Sequence, residues 1–99
     1  MKKKLDLIFK DEANQEVIES YLYYEKEQVG LGERFINELD QTIHSIKLTP
    51  NGFQKFHNET RQVPLNIFPF VVIYRVIENS LIIFSVFKTP QNPKKKLKV

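Results

Sequence analysis

The sequence predicts an α+β fold: an N-terminal strand, a helical hairpin, then a three-stranded antiparallel meander, forming one small sheet with the helices on one face. Two observations predict it. Apolar residues recur every three or four positions between residues 13 and 48, as they do on amphipathic helices. The densest apolar stretch, residues 61–89, is instead divided into strand-length pieces by two short turn-forming breaks. Residues 1–99 are therefore expected to form one domain, with a flexible basic tail at residues 94–99.

The first half of the chain is predicted to hold a strand and two helices. A short strand at Leu5–Phe9 comes first, and Asp11 then stands where a helix N-cap belongs. The first helix is expected over residues 13–28, closed by Gly30 at the C′ position. The second helix is expected to end by Leu48, because a Pro-Asn-Gly turn follows.

The segment before the meander carries weaker signals. Residues 53–60 are polar and predict a loop with room for a short extended piece. The following strand, residues 61–67, alternates apolar and polar positions and has Pro64 in its middle. Because proline cannot donate to a ladder, this strand is predicted to lie at the edge of the sheet.

The last two strands, residues 70–77 and 81–87, are apolar at both parities, so both of their faces need cover. In the second of them, the alternation predicts Leu81, Ile83 and Phe87 on one face and Ile82, Phe84 and Val86 on the other. The helices can cover only one face of the sheet. The remaining apolar face predicts a partner, such as a peptide or helix of another chain lying across it or along an edge strand. The alternative is that the basic C-terminal segment folds back as a lid.

Composition excludes several classes of protein. The chain has no cysteine and two histidines, so neither a disulfide, nor a metal site, nor a cofactor is predicted. No stretch approaches the roughly 20 apolar residues of a membrane span, and the N-terminal apolar run is too short for a secretory leader. We therefore expect a soluble cytoplasmic protein without a membrane partner.

Charge is distributed unevenly along the chain. Residues 1–50 contain seven Lys or Arg and ten Asp or Glu, whereas residues 51–99 contain eight and two. A basic half attached to an acidic half suggests a polyanion or an acidic partner on the strand-rich side. The alternative is that the terminal lysines form a solvated tail and nothing more.

Cationic and phenolic side chains near the predicted sheet are the candidate site: Lys55, Arg61, Tyr74, Arg75 and Lys88. Arg61 shares its parity with apolar strand residues, which indicates either a guanidinium that clamps phosphate or an arginine that snorkels to solvent. Lys88 could lie at the rim of the same surface or simply end its strand. His57 in the loop is a candidate general base, although a lone loop histidine is more often a polar surface residue.

Several short motifs carry a family resemblance: Tyr23-Tyr24, Leu31-Gly32-Glu33-Arg34-Phe35, Phe68-Pro69-Phe70 and Ile73-Tyr74. In their order and spacing, over roughly residues 5–95, they resemble the RelE/ParE superfamily of bacterial type II toxins. The resemblance implies a small sheet with a helical hairpin on one side. It also implies a cognate antitoxin with an acidic C-terminal segment that wraps the toxin in a hetero-oligomer.

Two activities occur in that superfamily. ParE-like members poison DNA gyrase and are not nucleases, whereas RelE-like members cut mRNA on the ribosome without a metal. Arg61 matches the strand-opening arginine of the family, but Lys88 and Gln91 stand where many relatives have histidine and arginine. Three hypotheses follow: a gyrase inhibitor without catalysis, a ribosome-dependent mRNA endonuclease, or a non-toxic member that only binds an antitoxin.

Each hypothesis assigns particular residues. If the chain is a nuclease, the catalytic candidates are Arg61, Lys88, Lys55, Tyr74 and His57. Under every hypothesis, the expected antitoxin-binding residues are Arg61, Lys88, Phe70, Val72 and Phe87.

Overall fold

The computed structural model describes residues 4–89 and places them in two helices and a five-stranded sheet. The helices are α1 (Asp11–Glu27) and α2 (Leu31–Leu48). The strands are β1 (Asp6–Phe9), β2 (Gln54–His57), β3 (Thr60–Pro64), β4 (Phe70–Ile77) and β5 (Ser80–Lys88). The predicted α+β class, the helical hairpin and the antiparallel meander β3-β4-β5 are confirmed. The predicted basic tail lies outside the described residues.

The N-terminal strand joins the sheet beside the last strand of the chain. β1 runs parallel to β5, with Asp6 opposite Ser80 and Phe9 opposite Ile83, and the sheet order is β1-β5-β4-β3-β2. Parallel neighbours need a long crossover, which the helical hairpin and the rest of the meander supply here. The sheet is therefore mixed, and β1 and β2 form its two edges.

The predicted edge position of β3 is wrong, because the segment predicted as a loop with room for a short extended piece supplies the extra strand β2. β2 pairs antiparallel with β3, from Gln54 opposite Gln62 to His57 opposite Thr60. Pro64 is tolerated because this pairing does not reach it. The N–H of Leu65 donates to Phe70 O on β4, so the nitrogen of Pro64 points to the opposite side, where β2 no longer runs.

The predicted alternation in β5 is wrong at its C-terminal end. The register of β4 and β5 shifts by one residue, so that Ile73 is opposite Ser85 whereas Tyr74 is opposite Ile83. This bulge leaves Phe84 without a partner and changes the parity beyond it. Val86 consequently joins Leu81 and Ile83 in the core, each 0% exposed. Phe87, opposite Val71, points to the other face.

Both ends of α1 differ from their predicted caps. α1 begins at Asp11, and its N-cap is Lys10, so Asp11 lies in the first turn rather than at the cap. Gly30 has a left-handed φ of 89°, but it is the N-cap of α2, since α1 ends at Glu27. The Glu25 carboxylate accepts hydrogen bonds from the N–H groups of Gly30 and Gly32 at 2.8 and 3.0 Å, which fastens the turn.

The core lies between the helices and one face of the sheet. Its largest fully buried side chains come from α2, β4 and β5: Phe35, Ile46, Val72, Tyr74, Leu81, Ile83 and Val86. Each such aliphatic or aromatic group contributes about 1.5–3 kcal/mol when buried. Alternate residues of β4, beginning with Val71, point to the other face, over which neither helix lies. In the described part of the chain, this face is the apolar surface that the sequence predicted to remain uncovered.

Candidate functional site

Three of the predicted site residues form one row across the sheet. Lys55 on β2 is opposite Arg61 on β3, and Arg61 is opposite Tyr74 on β4. Residues directly opposite each other in antiparallel strands share a face of the sheet, with their Cβ atoms about 4.5–5.5 Å apart. The order of the strands therefore brings Lys55, Arg61 and Tyr74 together.

Arg61 and Tyr74 both donate to the loop that follows α2. The Arg61 Nη1 donates to Phe53 O at 2.7 Å, and the Tyr74 hydroxyl donates to Pro50 O at 2.6 Å. These bonds hold the loop against the sheet. Tyr74 is 1% exposed, and burial raises the pKa of its phenol, although the nearby Arg61 charge opposes part of that rise. A buried phenol with a raised pKa is poorly suited to exchange protons with a substrate.

His57 lies at the end of β2, at the pair next to Lys55 and Arg61. It is opposite Thr60, after a register irregularity that separates it from Lys55. Its side chain is exposed, and its carbonyl oxygen accepts a hydrogen bond from Thr60 Oγ1. The histidine therefore lies at the solvent-exposed end of the β2–β3 hairpin.

Lys88 lies far from this row. It ends β5 opposite Phe70, whereas Arg61 is opposite Tyr74, and Phe70 and Tyr74 are four residues apart on β4. At about 3.3 Å per residue, the two rungs are roughly 13 Å apart along the strand. The Lys88 Nζ instead lies 5.4 Å from the ring centroid of Tyr23 on α1, within the range of a cation–π contact. The structure therefore separates Lys88 from the other nuclease candidates.

An open groove of about 290 Å³ lies between α1 and the end of β5. Glu19, Ser20, Tyr23, Tyr24, Phe70 and Lys88 line it. Its base belongs to an aromatic cluster in which the Tyr24 ring is 4.9 Å from Phe68 and 6.2 Å from Phe70, between ring centroids. Burial raises the pKa of the Tyr24 phenol, and the neighbouring Tyr23 adds to this rise. This feature, which we call the α1 groove, is an apolar recess with one cation at its rim.

The five residues predicted to bind a partner do not share one surface. Phe70 and Val72 are 4% and 0% exposed and belong to the core, so Phe70 offers the α1 groove only part of its lining and Val72 offers no surface. Phe87 is half-buried on the sheet face away from the helices. Lys88 lies at the groove, and Arg61 belongs to the row described above.

Sequence reasoning missed the apolar stripe beside the groove. Ile18, Leu22 and Tyr23 on α1 are 46%, 58% and 53% exposed. The spacing of four places Ile18 and Leu22 on one helix face. Tyr23 lies about 100° further round the helix, where it lines the groove. The apolar pattern of α1 was interpreted as a core face, because periodicity alone does not distinguish a buried stripe from an exposed one. The more strongly amphipathic α2 takes most of the helical share of the core, and only Ala13 of α1 is fully buried.

Sequence reasoning also missed three glutamates whose carboxylates accept hydrogen bonds from backbone N–H groups of other segments. Glu25 fastens the hairpin turn, and the Glu16 carboxylate accepts from Val86 N and Ser85 Oγ on β5 at 2.8 and 2.9 Å. Glu38 on α2 accepts from the consecutive N–H groups of Asn66, Ile67 and Phe68 in the β3–β4 loop. No sequence signal distinguishes such internal carboxylates from the solvated acids around them.

Residues 4–89 contain no group of three His, Cys, Asp or Glu residues placed to hold a metal ion. Among the same residues, neither helix has the length and apolar character needed to cross a membrane.

Comparison with known proteins identifies the family. The family model described as the ParE toxin of the type II toxin–antitoxin system, parDE, matches residues 7–93. Among solved structures, the chain resembles one described as the chromosomal ParDE TA system from P. aeruginosa, with a TM-score of 0.75 at 14% identity, covering 87% of this chain and 97% of that one. No curated protein matches the sequence. The family match spans nearly the whole chain, and the chain therefore belongs to the ParE toxin family of type II toxin–antitoxin systems.

Proposed function

We propose that this chain stops bacterial growth by binding DNA gyrase in the cytoplasm, without catalysis of its own, and that a cognate antitoxin neutralises it in a hetero-oligomer. The family match over residues 7–93 carries the proposal. The similarity to a structure described as a ParDE system supports the antitoxin as partner.

Two features favour a protein target over mRNA cleavage. Lys88 is separated from Arg61 by four rungs of the sheet, and Tyr74 is buried with its hydroxyl committed to Pro50 O. A nuclease without a metal needs a cation and a proton-transfer group at the same phosphate. The row of Lys55, Arg61 and Tyr74 offers cations without an accessible base.

The charge of the helical hairpin supports the same conclusion. α1 and α2 together carry six exposed acidic side chains: Asp11, Glu12, Glu19, Glu27, Glu33 and Asp40. Exposed basic side chains on the two helices are Lys26 and Arg34. An acidic surface repels nucleic acid and suits a basic protein surface. We therefore assign the hairpin to the contact with gyrase.

The antitoxin is assigned to the α1 groove and the stripe beside it. The groove presents apolar walls, the stripe adds three exposed apolar side chains, and Lys88 supplies a cation at the rim. An antitoxin segment with apolar residues facing α1 and acidic residues near Lys88 would complement all three features.

The antitoxin assignment is tested with Leu22→Glu, which places a carboxylate in the centre of the stripe. Ile67→Glu is the matched control, because Ile67 is 72% exposed on the β3–β4 loop, away from the groove. Cells that co-express Leu22→Glu with the cognate antitoxin should stop growing, whereas the control should remain neutralised. Each variant is first expressed without the antitoxin, where it should stop growth. Equal neutralisation of two variants that are both toxic alone would show that the antitoxin binds elsewhere.

The target is tested with purified chain in two assays run side by side. Inhibition of gyrase supercoiling, with mRNA intact in a translation reaction, is the expected result. Cleavage of mRNA on the ribosome with supercoiling unaffected would replace the proposal with the endonuclease. A folded chain that affects neither reaction would indicate a member that retains only antitoxin binding.

A further inference from the structure

The edge of the sheet formed by β1 has free backbone groups and an order of charges that suit pairing with itself. Among the described strands, β1 has β5 as its one neighbour. We propose that two copies of this chain associate through β1, which pairs antiparallel with β1 of the second copy and joins the two sheets into one. The proposal is independent of gyrase inhibition and of the α1 groove.

The backbone of β1 leaves every second residue free on its outer side. The N–H groups of Asp6 and Lys10 donate to the carbonyl oxygens of residues 79 and 83, at 2.8 and 2.9 Å. Alternate residues of a strand direct their N–H and C=O groups to the same neighbour. The groups of Leu7 and Phe9 therefore point away from β5, to the side on which no described strand lies.

The outer side of β1 is open to a second strand. Leu7 and Ile8 are 41% and 43% exposed. α1 packs over β5 rather than over β1, and Glu16 fastens it to β5. An open recess of about 570 Å³ borders the end of the strand and is lined by Ile8, Phe9, Lys10, Asp11, Glu12 and Phe84. A second strand beside β1 therefore meets apolar side chains and free backbone groups.

One antiparallel register satisfies the backbone groups and the side chains together. It places Ile8 opposite Ile8 of the second copy, with a two-fold axis between them. Leu7 then lies opposite Phe9, and their free N–H and C=O groups bond each other. Asp6 lies opposite Lys10. The backbone of Lys10 is extended, with φ −66° and ψ 158°, so the ladder can continue to this residue before α1 begins.

This register turns the charges of the edge into attractions. A lysine on an edge strand normally discourages pairing, but here Lys10 meets the carboxylate of Asp6 from the second copy, on both sides of the axis. Opposite charges directly across antiparallel strands stabilise the pair. Between these charges, Ile8 meets Ile8 at a position without ladder hydrogen bonds, where opposing side chains lie closest. The contact therefore buries apolar surface that one copy exposes.

Other registers and the other edge lack this complementarity. A slip of two residues in one direction places Lys4 opposite Lys10, and like charges directly opposite are destabilising. The same slip in the other direction places Leu7 opposite Asp11, where α1 has already begun. The other edge strand, β2, comprises Gln54–His57 and contains no acidic residue, so pairing with itself would gather cations. β1 is therefore the edge that suits a second copy.

Single-cysteine variants test the register, because the chain has no cysteine of its own. Ile8→Cys should form a disulfide-linked dimer under mild oxidation, since Cα atoms at such a position lie about 4.5 Å apart, within disulfide range. Leu7→Cys should link more slowly, because Leu7 lies diagonally from its own copy at roughly 7–8 Å. Phe56→Cys is the matched control, since Phe56 is 54% exposed on the other edge strand.

Charge exchange separates the specific pairing from general repulsion between copies. Asp6→Lys should raise the dimer Kd about tenfold in sedimentation equilibrium at constant salt, since it replaces two attractions by two repulsions. Lys10→Asp should also raise it, although this change lowers the net positive charge of the chain. The variant with both substitutions restores opposite charges across the axis, and its Kd should return to within about twofold of the wild type.

Hydrogen exchange followed by NMR tests the backbone pairing in the unmodified chain. The interface is small, because β1 has four residues, so association is expected at high concentration. As the concentration rises to the millimolar range, exchange at the N–H groups of Leu7 and Phe9 should slow. Exchange at Asp6 and Lys10, whose N–H groups are already bonded, should change less.

Several results would overturn the proposal. Equal linking of Ile8→Cys and Phe56→Cys would indicate random collision, and faster linking of Leu7→Cys would place the axis elsewhere. A double charge variant as weak as Asp6→Lys would refute the opposition of Asp6 and Lys10. Unchanged exchange at millimolar chain would leave β1 unpaired. Protection of Leu7 and Phe9 only after antitoxin is added would make the antitoxin the occupant. Circular dichroism confirms that each variant is folded.

Discussion

The hydrogen bond from Tyr74 to Pro50 is the interaction whose removal tests the architecture most directly. Tyr74→Phe deletes the hydroxyl while retaining the ring, which is 1% exposed in the core. The deleted bond is 2.6 Å long and joins the centre of the sheet to the loop after α2. The substitution therefore changes one polar contact and almost no packing.

The expected loss of stability in Tyr74→Phe follows from the burial of the Tyr74 hydroxyl and its partner. A typical hydrogen bond contributes about 0.5–1.5 kcal/mol, and a buried partner left unsatisfied raises the cost toward the upper end. We expect Tyr74→Phe to lower the free energy of unfolding by about 1–1.5 kcal/mol. For a domain of this size, that corresponds to a fall in Tm of roughly 4–10 °C. Thermal and urea unfolding followed by circular dichroism measure both quantities.

The matched control is Tyr23→Phe, which removes the same hydroxyl from a side chain 53% exposed at the rim of the α1 groove. It should change the free energy of unfolding by less than about 0.5 kcal/mol, as substitutions on a protein surface usually do. If both variants unfold at the same temperature as the wild type, the bond to Pro50 contributes nothing and our account of the loop attachment is wrong.

The same residue makes stability depend on alkaline pH. Burial raises the pKa of Tyr74 in the folded chain, so the folded state holds the proton more tightly than the unfolded state. The resulting stability is complete below the ordinary phenol pKa of about 10 and is lost as the pH rises through the folded value. Tyr24 has a pKa raised in the same direction, so Tyr74→Phe should reduce the alkaline loss without abolishing it. An unchanged pH profile in the variant would contradict this assignment.

Two further predictions concern close contacts of the helices. Glu38→Ala removes the acceptor for the N–H groups of residues 66–68 and should lower the free energy of urea unfolding by about 1.5 kcal/mol, the low end for a charged acceptor because solvent reaches the site. The exposed Glu33→Ala on the same helix is the control, and an equal loss in both variants would show that Glu38 does not hold the β3–β4 loop. Gly32→Ala should lower the Tm, because the added Cβ would lie 2.7 Å from the backbone oxygen of Tyr21 on α1. An unchanged Tm would show that α1 and α2 can move apart without loss of stability.

Much of the candidate site could not be predicted from the sequence, because it depends on register. Arg61 was singled out because it shares a strand face with apolar residues. Lys55 and Tyr74, which lie opposite it on the neighbouring strands, were also among the candidates. Their contact depends on β2 pairing with β3. The segment that contains β2 is polar and was predicted as a loop with room for a short extended piece, and the four residues of β2 are all exposed, so no buried face marks the strand. Lys88 is likewise separated from Arg61 because the two residues pair with different positions of β4, Phe70 and Tyr74. The composition of the strands does not specify this pairing.

The elements that the sequence determined by itself are those whose signals are local. Each helix has its own periodic apolar pattern, and the β4–β5 turn at Glu78-Asn79 is polar, short and lies where it was predicted, with Ile77 opposite Ser80. The family resemblance also depended on motifs contiguous in the chain, and the family match over residues 7–93 confirms it.

Tertiary structure alone decided the features that join distant segments. The parallel pairing of β1 with β5 links residues more than seventy positions apart, and no local pattern specifies that neighbour. Ile83 and Val86 are both buried in the core although they are three residues apart. In a regular strand, residues three apart point to opposite faces, so the strand needs the extra residue of the bulge at Phe84 to bury both. Burial is a property of the assembled molecule. The whole fold therefore settled which apolar side chains form the core and which, such as Leu22, remain available to a partner.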